Sequence, residues 1–362
     1  MNSPQRSLLV QLLRRPASCL DWQDTDWELL LKQARRANLL PRVAELLGEA
    51  GLFERLPQAP RDHLVGARLL SASQLRAVQW EARQIGHALQ ELGAPVVLLK
   101  GAAYALDGLP PAAGRIFSDI DILVPREKLA STEAALMLEG WHGVRQDAYD
   151  DQYYRRWMHE IPPMTHVLRE TVIDVHHNIL PPSGRIKVDA RRFLERLHPL
   201  AAYPGLYRLD DADLVLHSAC HLFLDGEFDK GLRDLADLDA LLRHFATLPG
   251  FWPALLARAR ELGLARMLLY ALRYTHAVLD TPQPAAALMD ELQTHAPPPW
   301  LLRLMDAVFL RALAPDHPSC ADRWTAPARG FLYLRAHWMR MPLPLLAMHL
   351  TIKAFKRAPE PT

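Results

Sequence analysis

The stretch Arg115-Ile116-Phe117-Ser118-Asp119-Ile120-Asp121-Ile122-Leu123-Val124 constrains the fold more than any other part of the chain. Ile120, Ile122 and Val124 alternate with Asp119, Asp121 and Leu123, the period-two pattern of a pleated strand. Side chains two apart share a face, so both carboxylates point the same way. Like charges held that close repel, which raises at least one pKa unless a cation sits between them. Oxygen ligands of this kind suit Mg2+ or Mn2+. Taken alone, the doublet reads more simply as a solvent-facing edge strand or turn, since Asp is depleted in strands and common beside turns.

The residues upstream favour the first reading. Pro95-Val96-Val97-Leu98-Leu99-Lys100-Gly101-Ala102-Ala103-Tyr104 reads as a buried strand, a glycine and a helix start. Glycine lets the backbone turn sharply and approach a ligand, and N–H groups at a helix start favour an anion. Lys100 adds a positive charge there. A phosphate cradle therefore precedes a carboxylate pair, the order expected of an enzyme that holds a nucleoside triphosphate through metal ions.

These residues resemble the DNA polymerase β-type nucleotidyltransferase superfamily, and most closely its poorly characterised bacterial nucleotidyltransferase family proteins. The likeness rests on Leu99-Lys100-Gly101, Arg115 and Ser118 through Val124, and covers roughly residues 90–180. The superfamily pattern adds a third carboxylate on a neighbouring strand. In Thr171-Val172-Ile173-Asp174-Val175-His176, one face carries Val172, Asp174 and His176, so Asp174 fills that place. The resemblance implies that Asp119, Asp121 and Asp174 hold a pair of Mg2+ (or Mn2+) ions and act in catalysis, Asp174 also helping to take the acceptor's proton. It implies that Lys100, Gly101, Arg115 and Ser118 contact nucleotide. Ala102 stands where the family usually has a second small polar residue or glycine.

The expected fold is α+β: a polymerase β-type core with a mixed sheet at 94–180, flanked by helical lobes at 1–93 and 181–362. Leu8, Leu9, Leu12 and Leu13 share a helix face, and Asp24 or Thr25 could cap the next helix. Residues 62–92 read as one long helix stopped by Gly93. A hairpin arm is expected across 153–169. Beyond Pro181-Pro182 the chain reads as largely helical, with Asp210-Asp211 as a cap and further helices over 230–242, 251–279, 284–294, 299–313 and 328–356.

Composition bounds the alternatives. Of the 362 residues, half are hydrophobic and 23% are charged, and the formal net charge is +1, so no global field draws in a long nucleic acid. The three cysteines, Cys19, Cys220 and Cys320, lie far apart, which argues against a zinc knuckle or disulfide framework and makes a reducing cytoplasm the default. No signal peptide and no membrane-spanning run is legible.

Other side chains have two readings each. His176 could orient a carboxylate or simply end a strand. His217 and His221, four apart on a helix, read better as a satisfied core pair than as metal ligands, because no Glu completes an HExxH motif. Arg233 and Asp237 are spaced to pair along a helix, although Lys230 or Arg233 could face a cleft instead. The C-terminal stretch Trp338 to Lys356, with Arg357 following, reads as a lobe-packing helix ending in a basic tail rather than a membrane-surface helix, since Pro342 and Pro344 interrupt it. The expected activity is transfer of a nucleoside monophosphate from an NTP such as ATP to an acceptor hydroxyl. The acceptor is a tRNA or other RNA end, gripped by a patch such as Arg155-Arg156 or Arg191-Arg192, a protein, or a small molecule. The alternatives are a catalytically degenerate nucleotide-binding or assembly protein, and a phosphotransferase on the same metal site.

Overall fold

Seven short strands make one sheet in the order β3-β4-β5-β2-β1-β7-β6 in the computed structural model, which describes residues 7–143, 154–155, 157–342 and 346. They are β1 (Val96–Leu98), β2 (Ile120–Leu123), β3 (Trp141–Gly143), β4 (Met164–His166), β5 (Val172–His176), β6 (Leu197–Pro199) and β7 (Leu206–Leu209). β1 runs parallel to β7 and β2 parallel to β5, and the other pairings are antiparallel, so the sheet is mixed within an α+β fold. β1 and β2 sit at the centre and are buried at every position. That suits the near-continuous apolar run of β1, and it buries Asp121 as well.

Before the sheet, the chain is helical. Gln23 caps the Asp24–Arg36 helix and shares a reciprocal capping box with Asp26, so Asp24 and Thr25 fall inside the first turn rather than at the cap. The long helix Gln58–Ala88 ends before Gly93, which adopts φ +64°. This helix packs on the short helix Lys100–Leu106. Its Glu81 is nearly inaccessible and accepts from Arg169 at 2.8–3.2 Å and from Thr171 at 3.0 Å. The Arg169 guanidinium also lies over the Trp80 and Trp141 rings. The β4–β5 hairpin is thereby fastened to the long helix.

The sheet does not stop at residue 180. β6 and β7 come from the stretch expected to be helical, and β7 joins the sheet beside β1. Leu206-Tyr207-Arg208-Leu209 is too short for periodicity to mark, and its arginine argues against burial. Arg208 is buried because Asp107, at 2.5 Å, and Asp211, at 2.8 Å, both accept from it. Asp210 caps the helix Asp211–Leu224 as expected. The expected 251–279 helix is two, Phe251–Glu261 and Ala265–Leu279, separated where Gly263 takes φ +70°. Most of the buried hydrophobic residues form one continuous cluster, from Leu9 through the sheet to Leu332.

Candidate functional site

Parallel pairing of β2 with β5 sets Asp121 directly opposite Asp174. Neighbours in register on adjacent strands present their side chains on the same face. Asp119, two residues before Asp121, lies exposed at the mouth of the strand and accepts from Ser118 Oγ at 3.0 Å. Asp121 and Asp174 thus share one face of the sheet, and Asp119 stands just ahead of β2, near enough for its charge to act on Asp174.

Their surroundings differ sharply. Asp121 is only 5% exposed, and its Oδ1 accepts from Lys100 Nζ at 3.0 Å and lies 2.9 Å from His176 Nε2. Burial works against ionisation there, but Lys100 and His176 together hold the carboxyl well below the usual range. Burial likewise opposes the Lys100 ammonium, and Asp121 beside it raises its pKa all the same. Asp174 has no such support. Its Oδ1 is buried without a hydrogen-bond partner among the described residues. Burial, then the charges of Asp121 and Glu160, push its pKa up to about 7. His176 is reached because it follows Asp174 by two residues on the same face, and its other nitrogen, Nδ1, lies 3.2 Å from Glu160 Oε2.

A strained turn places Lys100. Leu99 N–H still donates to Asp121 O at 3.0 Å, and Lys100 then adopts φ +45°, a left-handed conformation uncommon for a residue with a side chain. Gly101 is required for a different reason from the one its sequence context suggests. A Cβ there would lie 2.7 Å from Arg115 Nε and 3.3 Å from the Phe117 ring, so the glycine makes room for the chain's own arginine.

Arg115 borders the cleft in front of the sheet and also has a partner within the fold. Its guanidinium is buried and ion-paired with Asp237, which also accepts from Arg42 at 2.8 Å. Asp237 therefore does not pair with Arg233 along its own helix. Arg233 turns to Asp234, at 2.7–2.9 Å, because the buried Asp237 already has cations from two other parts of the fold.

In front of the sheet lies a cleft of about 280 Å³. Lys100, Gly101, Ser118, Asp119 and Asp121 line one side, and His221, Asp225, Lys230, Arg233 and Asp234 the other. Of this second wall the sequence had singled out His221 and the 230–238 segment, with Lys230 or Arg233 facing a cleft as one of two readings, whereas Asp225 drew no notice. His217 is not the satisfied core histidine expected: its buried Nδ1 has no partner among the described residues. Burial keeps it neutral and lowers His221 to about 4. Arg155 bonds Glu133, Arg191 bonds Asp189, and Arg192 donates to Glu261 O; Arg156 lies outside the described residues. The helix Thr325–Arg340 ends with Arg340 donating to Asp225 on the cleft wall at 2.5 Å, and most of the basic tail beyond it lies outside the described residues. Among the described residues no helix is long and apolar enough to cross a membrane.

Comparison with known proteins adds one match: the family model described as "Uncharacterised nucleotidyltransferase" covers residues 23–280. No curated protein and no solved structure matches the chain.

Proposed function

Since the chain belongs to the uncharacterised nucleotidyltransferase family, we propose that it moves a nucleoside monophosphate from an NTP to an acceptor hydroxyl at the Asp119–Asp121–Asp174 face. We read the sheet as a polymerase β-type core with its helical flanks. The observation that carries the proposal is the in-register pairing of Asp121 with Asp174 beside a cleft. The residues suit a divalent cation, because the buried Asp174 Oδ1 has no partner among the described residues, and burial and the charge of Asp121 disfavour its ionisation. Asp119, Asp121 and Asp174 would hold Mg2+ or Mn2+. When bound, such ions would offset the charge of the triphosphate and leaving pyrophosphate and acidify the attacking hydroxyl.

The chain's own groups do the rest. Lys100 and His176 fix one oxygen of Asp121 and keep that carboxylate ionised. Asp174, poised near neutrality, suits a base that receives the acceptor's proton. Lys230 and Arg233 stand across the cleft from Lys100, where they can meet phosphate oxygens.

A second reading, a nucleotide-binding protein without turnover, draws on one observation. Lys100 and Arg115, both expected on phosphate, are engaged by Asp121 and Asp237. Incubation with Mg2+, cell extract and either α- or γ-labelled ATP separates the readings. Transfer of the α label, lost in the Asp119→Ala/Asp121→Ala double variant, is expected. Transfer of the γ label alone would make the protein a phosphotransferase. A thermal shift with Mg2+ and NTP but no transfer would favour the binding protein.

A further inference from the structure

We propose that His159, Glu160 and His176 form a site for a transition-metal cation of the Zn2+ type, adjoining the carboxylate face but built from a different set of ligands. One donor atom from each residue lies within 4.8 Å of the others. Ligands about 2.1 Å from a tetrahedral ion stand roughly 3.4 Å apart, so modest side-chain rotation closes the set. Two imidazoles and a carboxylate select Zn2+ or its neighbours over Mg2+, which prefers oxygen alone.

Backbone pairing, not chance proximity of side chains, brings the three together. Glu160 forms an isolated antiparallel bridge with His176. His177 N–H donates to His159 O at 2.8 Å, and Ile161 N–H to Val175 O at 3.0 Å. The segment is laced along the end of β5.

The second observation is independent of that placement. His176 is 4% exposed, and its Nε2 is occupied by Asp121. Its Nδ1 faces Glu160 Oε2 at 3.2 Å, yet the geometry is not that of a hydrogen bond, and this nitrogen has no other partner among the described residues. His159 Nδ1 is also buried and has no hydrogen-bond partner among the described residues. A cation at His176 Nδ1 would complete the carboxylate–histidine–metal arrangement, in which the second ring N–H fixes tautomer and orientation. Occupancy would lock His176 and, through its Nε2, the Asp121 carboxylate. This inference stands apart from the transfer reading, since it concerns cation binding without nucleotide.

The test is titration of the metal-stripped full chain with Co2+, followed by visible absorbance, with Zn2+ as competitor. One equivalent of Co2+ should give visible bands that Zn2+ abolishes. His159→Ala and Glu160→Gln should each weaken binding by at least roughly tenfold, while Asp119→Asn leaves the spectrum unchanged. Absence of a bound equivalent in the wild type overturns the proposal. So does unchanged affinity in Glu160→Gln, or loss of the bands in Asp119→Asn alone. Glu160→Gln is isosteric at a partly exposed position and decides the matter even if His159→Ala fails to fold.

Discussion

Asp174 is the residue whose charge the fold supports least, and its behaviour with pH follows. Its folded pKa of about 7 lies above the ordinary aspartate value near 3.9. A carboxyl raised in this way binds its proton more tightly in the folded state. Its favourable contribution is complete below the unfolded value and is lost as pH rises through the folded one. Without added divalent cation, Asp174→Asn should match the wild type in urea midpoint near about pH 4 and exceed it near about pH 8. A pH-independent gap would contradict the assignment. Mg2+ at the higher pH should stabilise the wild type and leave Asp174→Asn unmoved in a thermal melt. Asp121, two strands' breadth of chain away yet its direct neighbour, responds in the opposite sense because Lys100 and His176 hold it ionised.

At the scale of elements, the site depends on how the chain between β1 and β2 is folded back. That segment passes over Gly101 and under the N-terminal helices at Gly114. Gly114 takes φ +63°, and a Cβ there would come within 2.5–2.7 Å of the Arg42 N and Cα and the Pro41 carbonyl carbon, all backbone atoms that cannot swing aside. Gly114→Ala combines left-handed strain with a steric clash, and should cost above about 3 kcal/mol. Gly101→Ala meets side chains instead, with Arg115 restrained by Asp237, and should cost about 1–3 kcal/mol. Urea unfolding of the two variants checks both the size and the order.

For the molecule as a whole, Asp237 is the meeting point. It lies on the helix Gly231–Phe245, receives Arg42 from the N-terminal helices and Arg115 from the sheet's connecting segment, and is 2% exposed. Removing one partner of a buried ion pair leaves the other charge uncompensated. Asp237→Ala strands two such charges and should lose about 3–5 kcal/mol or more. Because one hydrophobic cluster runs through all three stretches, the wild type should unfold in a single transition by fluorescence and circular dichroism alike. Two separated transitions would mean that the flanking lobes fold independently.

Local pattern alone determined a good deal here. Period-two alternation put Asp119 and Asp121 on one face and Asp174 with His176 on another strand's face, and Gly93 and Asp210 marked helix ends, because strand pleat and helix capping are decided by neighbours within a few residues. Which strand lies beside which is a long-range matter. Only the tertiary structure set Asp121 opposite Asp174, drew β6 and β7 into the sheet, brought His159 and Glu160 to His176, and gave Arg115 to Asp237. Each of those pairings joins segments whose own periodicity carries no trace of the partner, since burial of a charged group is permitted by the opposite charge that arrives from elsewhere in the chain.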